Sequence, residues 1–225
     1  MIKKNIARLA TKIKGRPVKF DPAITSGYLL QITFLHALAL FRGIIRLRRL
    51  VSLGSDVSLR GKAVLDLASG VTVGDFCVLD AMGKEGLIIG ERTSIGRFGI
   101  IKVSGTFSQI GKGIVIGKDV GIGEFCHIGG AGGVTIGDDT IVGSYFSIHP
   151  ENHLFGDKDQ LIRHQGVSHQ GIAIGRNCWI GAKVTVLDGA SVGNGCVIAA
   201  GAVVKGQFPD GCVIGGVPAR ILKKI

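Results

Sequence analysis

The stretch IGRNCWIGAKVTVLDGASVGNGCVIAAGAVV, residues 174–204, places an aliphatic side chain at Ile174, Ile180, Val186, Val192, Ile198 and Val204, a period of six without a slip. An α-helix repeats at 3.6 residues, and a simple strand alternates at two. Neither explains a six-residue period with a glycine or other small residue so often following the aliphatic one. A triangular coil does. Three short strands joined by tight turns make one circuit, and the aliphatic residue of each hexad points inward and stacks on its counterpart one circuit along. Backbone hydrogen bonds then run from circuit to circuit as a parallel ladder. Working outward, the same period recurs in Leu67, Val73, Leu79; in Ile89, Ile95, Ile101; in Ile110, Ile116, Ile122, Ile128; and in Ile136, Val142, Ile148. The fold class expected is an all-β solenoid, a left-handed parallel β-helix of hexapeptide repeats, rather than a β-sandwich.

Breaks in the period mark excursions from a corner of the coil. One slips by two residues between Ile128 and Ile136. The larger one, about 149–173, is rich in polar residues, beginning His149-Pro150-Glu151-Asn152-His153, and is the expected extruded loop. A loop on a rigid scaffold is where function tends to sit.

Composition agrees with this reading. Of 225 residues 37 are glycine and only 5 proline, with no Gly-X-Y period, so collagen is excluded and many tight turns are implied. The net charge of +11 is segregated: residues 1–50 carry +10 and the remainder +1. With the repeat body nearly neutral and few aromatic residues available for base stacking, a nucleic-acid partner is not expected. Residues 1–50 read as a separate basic segment of one or two helices, followed by the β-helix domain 51–225. Within that segment Ala23 to Phe41 carries no formal charge and is followed by Arg42, Arg46, Arg48 and Arg49. Three readings stay open: a helix lying on an anionic membrane face, a helix packed on the coil or a subunit contact, and a bilayer span. The five cysteines are odd in number and widely spaced, without a C-x-x-C pair or a metal-ligand grouping with histidine. They read as small buried side chains in a reducing compartment. No secretory signal is read, and a cytoplasmic location, peripheral on the inner membrane face if residues 1–50 bind lipid, is expected.

The segments IGDDTIVGSYFSIHPENHLF (136–155) and GIAIGRNCWIG through GGVPARI (171–221) resemble the hexapeptide-repeat acetyltransferases of the galactoside and maltose type. They are more similar still to the polysaccharide-locus, colanic-acid-like O-acetyltransferases. The most specific pieces are Asn152-His153, Trp179-Ile180-Gly181 and Gly216-Val217-Pro218-Ala219-Arg220. The resemblance implies acetyl-CoA as co-substrate, no metal, a homotrimer, and a sugar hydroxyl of a glycan or lipid-linked intermediate as acceptor. It places the family's general base on His153, which would take the proton of the attacking hydroxyl. An imidazole, with an ordinary pKa near 6.5, suits that work at neutral pH. His149 is the rival, with His127, His164 and His169 behind it, and Asn152 and His149 are candidate acceptor contacts. For coenzyme A the resemblance implies contacts at Ala182, Ala200, Lys205 and Arg220, with Lys223 a phosphate partner and Trp179 lining the cleft. The chain departs from the family in reading Val204-Lys205-Gly206 after the last hexad, which displaces the lysine by one position. Two alternatives remain: N-acyl transfer to an amino sugar or small amine, and a β-helix scaffold with a carbonic-anhydrase-like metal site built on histidines such as His127, His149 and His153.

Overall fold

The computed structural model describes residues 2–14 and 17–225; Arg16, counted above in the basic segment, lies outside the described residues. Two helices come first, α1 (Ile2–Lys14) and α2 (Ser26–Leu47), and short strands follow from Ser52 to Lys224. Apart from one small hairpin, the strands form three sheets of nine, seven and seven strands among the described residues. Successive strands visit the first, second and third sheet in turn. Pairing is parallel throughout these sheets until the C-terminal strand Ala219–Lys224 folds back antiparallel on Cys212–Gly216.

The periodic residues occupy the positions that the spacing requires. Val142, Ile180, Ile198 and Ile214 follow one another in register across the first sheet. Ile128, Ile148, Val186 and Val204 do so across the second, and Ile116, Ile136, Ile174 and Val192 across the third. All twelve are buried, and they belong to a single core cluster. Ile110 is the exception. It is 45% exposed and lies outside any strand, in an excursion that begins after Val103 and carries Phe107 almost fully into solvent. The Ile-Gly pair there imitates a hexad, but the inward position before Ile116 is taken by Ile114, within the strand Gly113–Ile116.

At the corner between the first and second sheets, Phe76, Phe98, Phe125 and Tyr145 stack ring on ring with centroids 4.9–5.2 Å apart. Each takes a left-handed backbone conformation, with φ of 56–61°. The five cysteines are buried and unpaired, and burial pushes the Cys126 thiol up to about 12. These are packing residues.

Helix α2 closes the N-terminal end of the core. Thr25 accepts a hydrogen bond from Tyr28 N at its start, and at its end Arg48 turns left-handed and donates to Ile44 O. The helix is seated through Gly43, where a Cβ would stand 1.7 Å from Val51 O. Each circuit donates its strand N–H groups to the carbonyls of the next, as in Gly54 N to Val73 O, Ser58 N to Cys77 O and Ala68 N to Ile89 O. The corresponding carbonyls of the first circuit, Leu53, Val57 and Leu67, therefore point at nothing within the ladder. Arg42 Nη1 donates to Leu53 O at 3.3 Å, Arg46 Nη1 to Val57 O at 2.7 Å and Arg49 Nη1 to Leu67 O at 3.1 Å. Arg49 also pairs with Asp66. Three of the four arginines read from sequence as candidate headgroup partners thus terminate the open end of the three sheets, one per sheet.

Candidate active site

The large break in the period is bounded more tightly than its spacing suggests. The strand Ser147–His149 precedes it and Ile172–Ile174 follows, so the loop runs from 150 to 171. Inside it Asn152–His153 and Val167–Ser168 pair antiparallel, Asn152 opposite Ser168 and His153 opposite Val167, and Leu154 N donates to Gly166 O at 3.0 Å. His153 is exposed on this hairpin. His149 belongs instead to the body. It ends a strand of the second sheet opposite Leu187, and its ring stacks on that of His127 at 5.6 Å between centroids. Burial, then the neighbouring His149 and Lys102, hold the His127 imidazole below its ordinary pKa. The two leading histidines are four residues apart in sequence but stand on different elements.

Asn152 is tied to the body. Its Nδ2 donates to Asp188 Oδ2 at 3.2 Å. Asp188, 4% exposed, also accepts from Gln170 N at 2.9 and 3.0 Å and from Gly171 N at 2.9 Å. Sequence reasoning passed over this residue, although it is the one acidic residue between 174 and 204. Nearer the loop base, His169 Nδ1 lies 3.4 Å from Pro150 O and 3.9 Å from Glu151. His164 sits in a short 3-10 turn, exposed.

Most of the residues implied for coenzyme A gather at the C-terminal end. Trp179, 60% exposed, stands in one row of the first sheet with Val197, Val213 and Lys223. Arg220 lies on the same last strand, opposite Gly215. Ala182 and Ala200 occupy the adjoining corner on successive circuits, both exposed, with Gly201 N donating to Ala182 O at 2.9 Å. Lys205 is not brought to this row: it follows Val204 at the far end of the second sheet. A groove of about 350 Å³ runs along the third sheet, lined by Lys112, Thr135, Gln170, Ser191 and Gln207 among others. It borders the exit leg of the loop and contains neither histidine candidate. Among the described residues no three His, Cys, Asp or Glu side chains are grouped to hold a metal ion.

Residues 171–206 match the bacterial transferase hexapeptide (six repeats) family. The chain is 37% identical over 122 residues to the lipopolysaccharide biosynthesis O-acetyl transferase WbbJ of Escherichia coli (strain K12), covering 51% of this chain and 62% of that one. It is 32% identical over 96 residues to the galactoside O-acetyltransferase of the same organism, covering 41% and 44%. It thus spans less than two thirds of the length of each of these relatives. Two crystal structures share the fold. One is AntD, an N-acyltransferase from Bacillus cereus in complex with dTDP and 3-hydroxybutyryl-CoA, with a TM-score of 0.55 at 17% identity over 82% of this chain and 87% of that one. The other is the polySia specific acetyltransferase NeuO, with a TM-score of 0.50 at 23% identity over 76% and 68%. The chain therefore bears the bacterial transferase hexapeptide repeat and, over about half its length, is similar to O-acetyltransferases.

Proposed function

We propose that this protein is a left-handed β-helix acyltransferase that moves an acetyl group from acetyl-CoA to a sugar hydroxyl of a glycan or lipid-linked intermediate. The observation that carries the proposal is His153 itself: an exposed imidazole on a hairpin tied to the body at its base, in a stretch that resembles the acetyltransferases on both sides of it. His153 accepts the proton of the acceptor hydroxyl as its oxygen attacks the thioester carbonyl. The C–S bond then breaks, and the imidazolium returns the proton to the leaving thiolate, so no covalent enzyme intermediate is needed. The coenzyme lies along the row of Trp179 and Lys223 and the corner of Ala182 and Ala200, with Arg220 and Lys223 toward its phosphates. Trp179 and Lys223 in that row are exposed, which favours a homotrimer in which a second subunit completes the cleft.

The test is incubation of the purified chain with acetyl-CoA and a panel of glycans, lipid-linked sugars and amino sugars, following free thiol and product mass. Thiol release with a hydroxyl acceptor supports the proposal. Release only with amino sugars would replace it with N-acyl transfer, and a sedimentation mass of one subunit in the active sample would remove the trimer.

Residues 1–50 are proposed to hold the enzyme against an anionic membrane face. Helix α2 is long and apolar enough to cross a bilayer. With three arginines committed to carbonyls and Gly43 seated on Val51, it instead presents Leu30, Phe34, Phe41 and Ile45, each at least 50% exposed, away from the body. Lys4, Arg8, Lys19 and Arg48 are left exposed for headgroups, each worth on the order of 1 kcal/mol near an anionic surface. The full chain should sediment with phosphatidylserine vesicles at low salt, and the double variant Phe34→Asp, Phe41→Asp should not. Equal behaviour of the two proteins would assign the exposed face to protein packing.

A further inference from the structure

We infer that Asp188 is the positioning residue of this site, a buried carboxylate that ties both legs of the 150–171 loop to the body and so sets where His153 stands. The inference rests on the acetyl-transfer reading and adds to it a residue outside the loop.

Four residues are buried among the polar and charged ones described, and Asp188 is the only one of them with a formal charge. Among the described residues no lysine or arginine pairs with it; the compensation comes from N–H groups. Oδ1 accepts from Gln170 N and Gly171 N at 2.9 Å each, while Oδ2 accepts from Gln170 N at 3.0 Å and from Asn152 Nδ2 at 3.2 Å. Two of the donor residues sit on the exit leg and one on the entry leg. Burying a carboxylate away from water is costly unless its oxygens are hydrogen-bonded, and hydrogen bonds to a charged acceptor are the stronger kind.

The coil does not need this arrangement. One circuit later the second sheet passes to the third through Lys205–Gly206, two residues in place of the four from 187 to 190, with no acid at all. The turn that holds Asp188 is also shaped for the loop. Gly189 has φ +79°, a backbone conformation that favours glycine, and it faces the Gln170 side chain of the exit leg. Gly189 N in turn donates to Gly171 O at 2.9 Å. The clamp therefore reaches the residue directly before His153, and the hairpin register carries the constraint to His153 and Val167. A general base works only when its nitrogen stands within reach of the acceptor hydroxyl, and a misplacement of about 1 Å can cost roughly 10²-fold in rate.

The test compares Asp188→Asn, Asp188→Ala and Asn152→Ala with the parent in two measurements on the full chain. Amide hydrogen exchange should accelerate at least about tenfold at Leu154, Gln170 and Gly171 in Asp188→Ala, less in Asp188→Asn, which keeps one acceptor oxygen. Exchange at Ile180, Ile198 and Val204 should be unchanged. In acetyl transfer, kcat should fall roughly 10- to 100-fold in Asp188→Ala and partly recover in Asp188→Asn, with KM for acetyl-CoA unaltered. Asn152→Ala removes one donor without touching the core, and should loosen Leu154 and lower kcat even if Asp188→Ala fails to fold. Loop amides that exchange at the parent rate would overturn the clamp. Loosened loop amides with undiminished kcat would overturn the positioning role. If the parent transfers no acetyl group to any acceptor, the acetyl-transfer reading fails and the positioning role with it, while the exchange data still decide the clamp.

Discussion

His153→Ala is expected to lower kcat by roughly 10² to 10⁴ while leaving the fold and the affinity for acetyl-CoA intact, the range typical of losing a general base. The structure gives reasons to expect the two effects to separate. The side chain is exposed on a hairpin outside the core, so its truncation removes no buried packing. The row proposed for the coenzyme, Trp179, Val197, Val213 and Lys223, belongs to a different sheet, so donor affinity has no direct reason to change. His149→Ala is expected to cost much less, because His149 stacks on His127 against the second sheet and is not carried on the hairpin. A dead His149→Ala beside an active His153→Ala would transfer the catalytic role to the stacked pair.

Ile180→Ala should cost roughly 2–5 kcal/mol of stability, the usual loss for a large aliphatic side chain removed from a core that cannot collapse into the space. Ile180 is fully buried and sits between Val142 and Ile198 in the first sheet. Both neighbours are fixed by ladder hydrogen bonds, Gly143 N to Ile180 O and Gly181 N to Ile198 O at 2.8 Å each, so relaxation along the stack is restricted. For a chain of this size the loss corresponds to a fall in Tm of about 2–4 °C per kcal/mol. Ile88→Ala is the control: the same chemistry at a position 40% exposed on the third sheet, expected to change stability by less than about 0.5 kcal/mol. Equal losses in thermal unfolding would contradict a core built by stacking every sixth residue.

The amino-acid order by itself determined the period, and through it the inward residue of nearly every strand, because a fold that repeats one local conformation writes its geometry into spacing alone. It also located the extruded loop, since a run of polar residues cannot continue the stack; within that loop His153 stood out through the resemblance to the acetyltransferases. Ile110 was misassigned because an Ile-Gly pair has the same appearance inside a strand and in an excursion; only the register of the neighbouring circuits distinguishes them. Arg42, Arg46 and Arg49 were legible as a cationic cluster but not as caps. Their carbonyl partners become unpaired only when the three sheets end together beneath α2. Asp188 lies 36 residues from Asn152 and 18 from Gln170 in sequence. Its meaning was decided by the tertiary structure alone, because a carboxylate finds its N–H donors across circuits, and only the folded coil brings the two legs of the loop onto one buried oxygen pair.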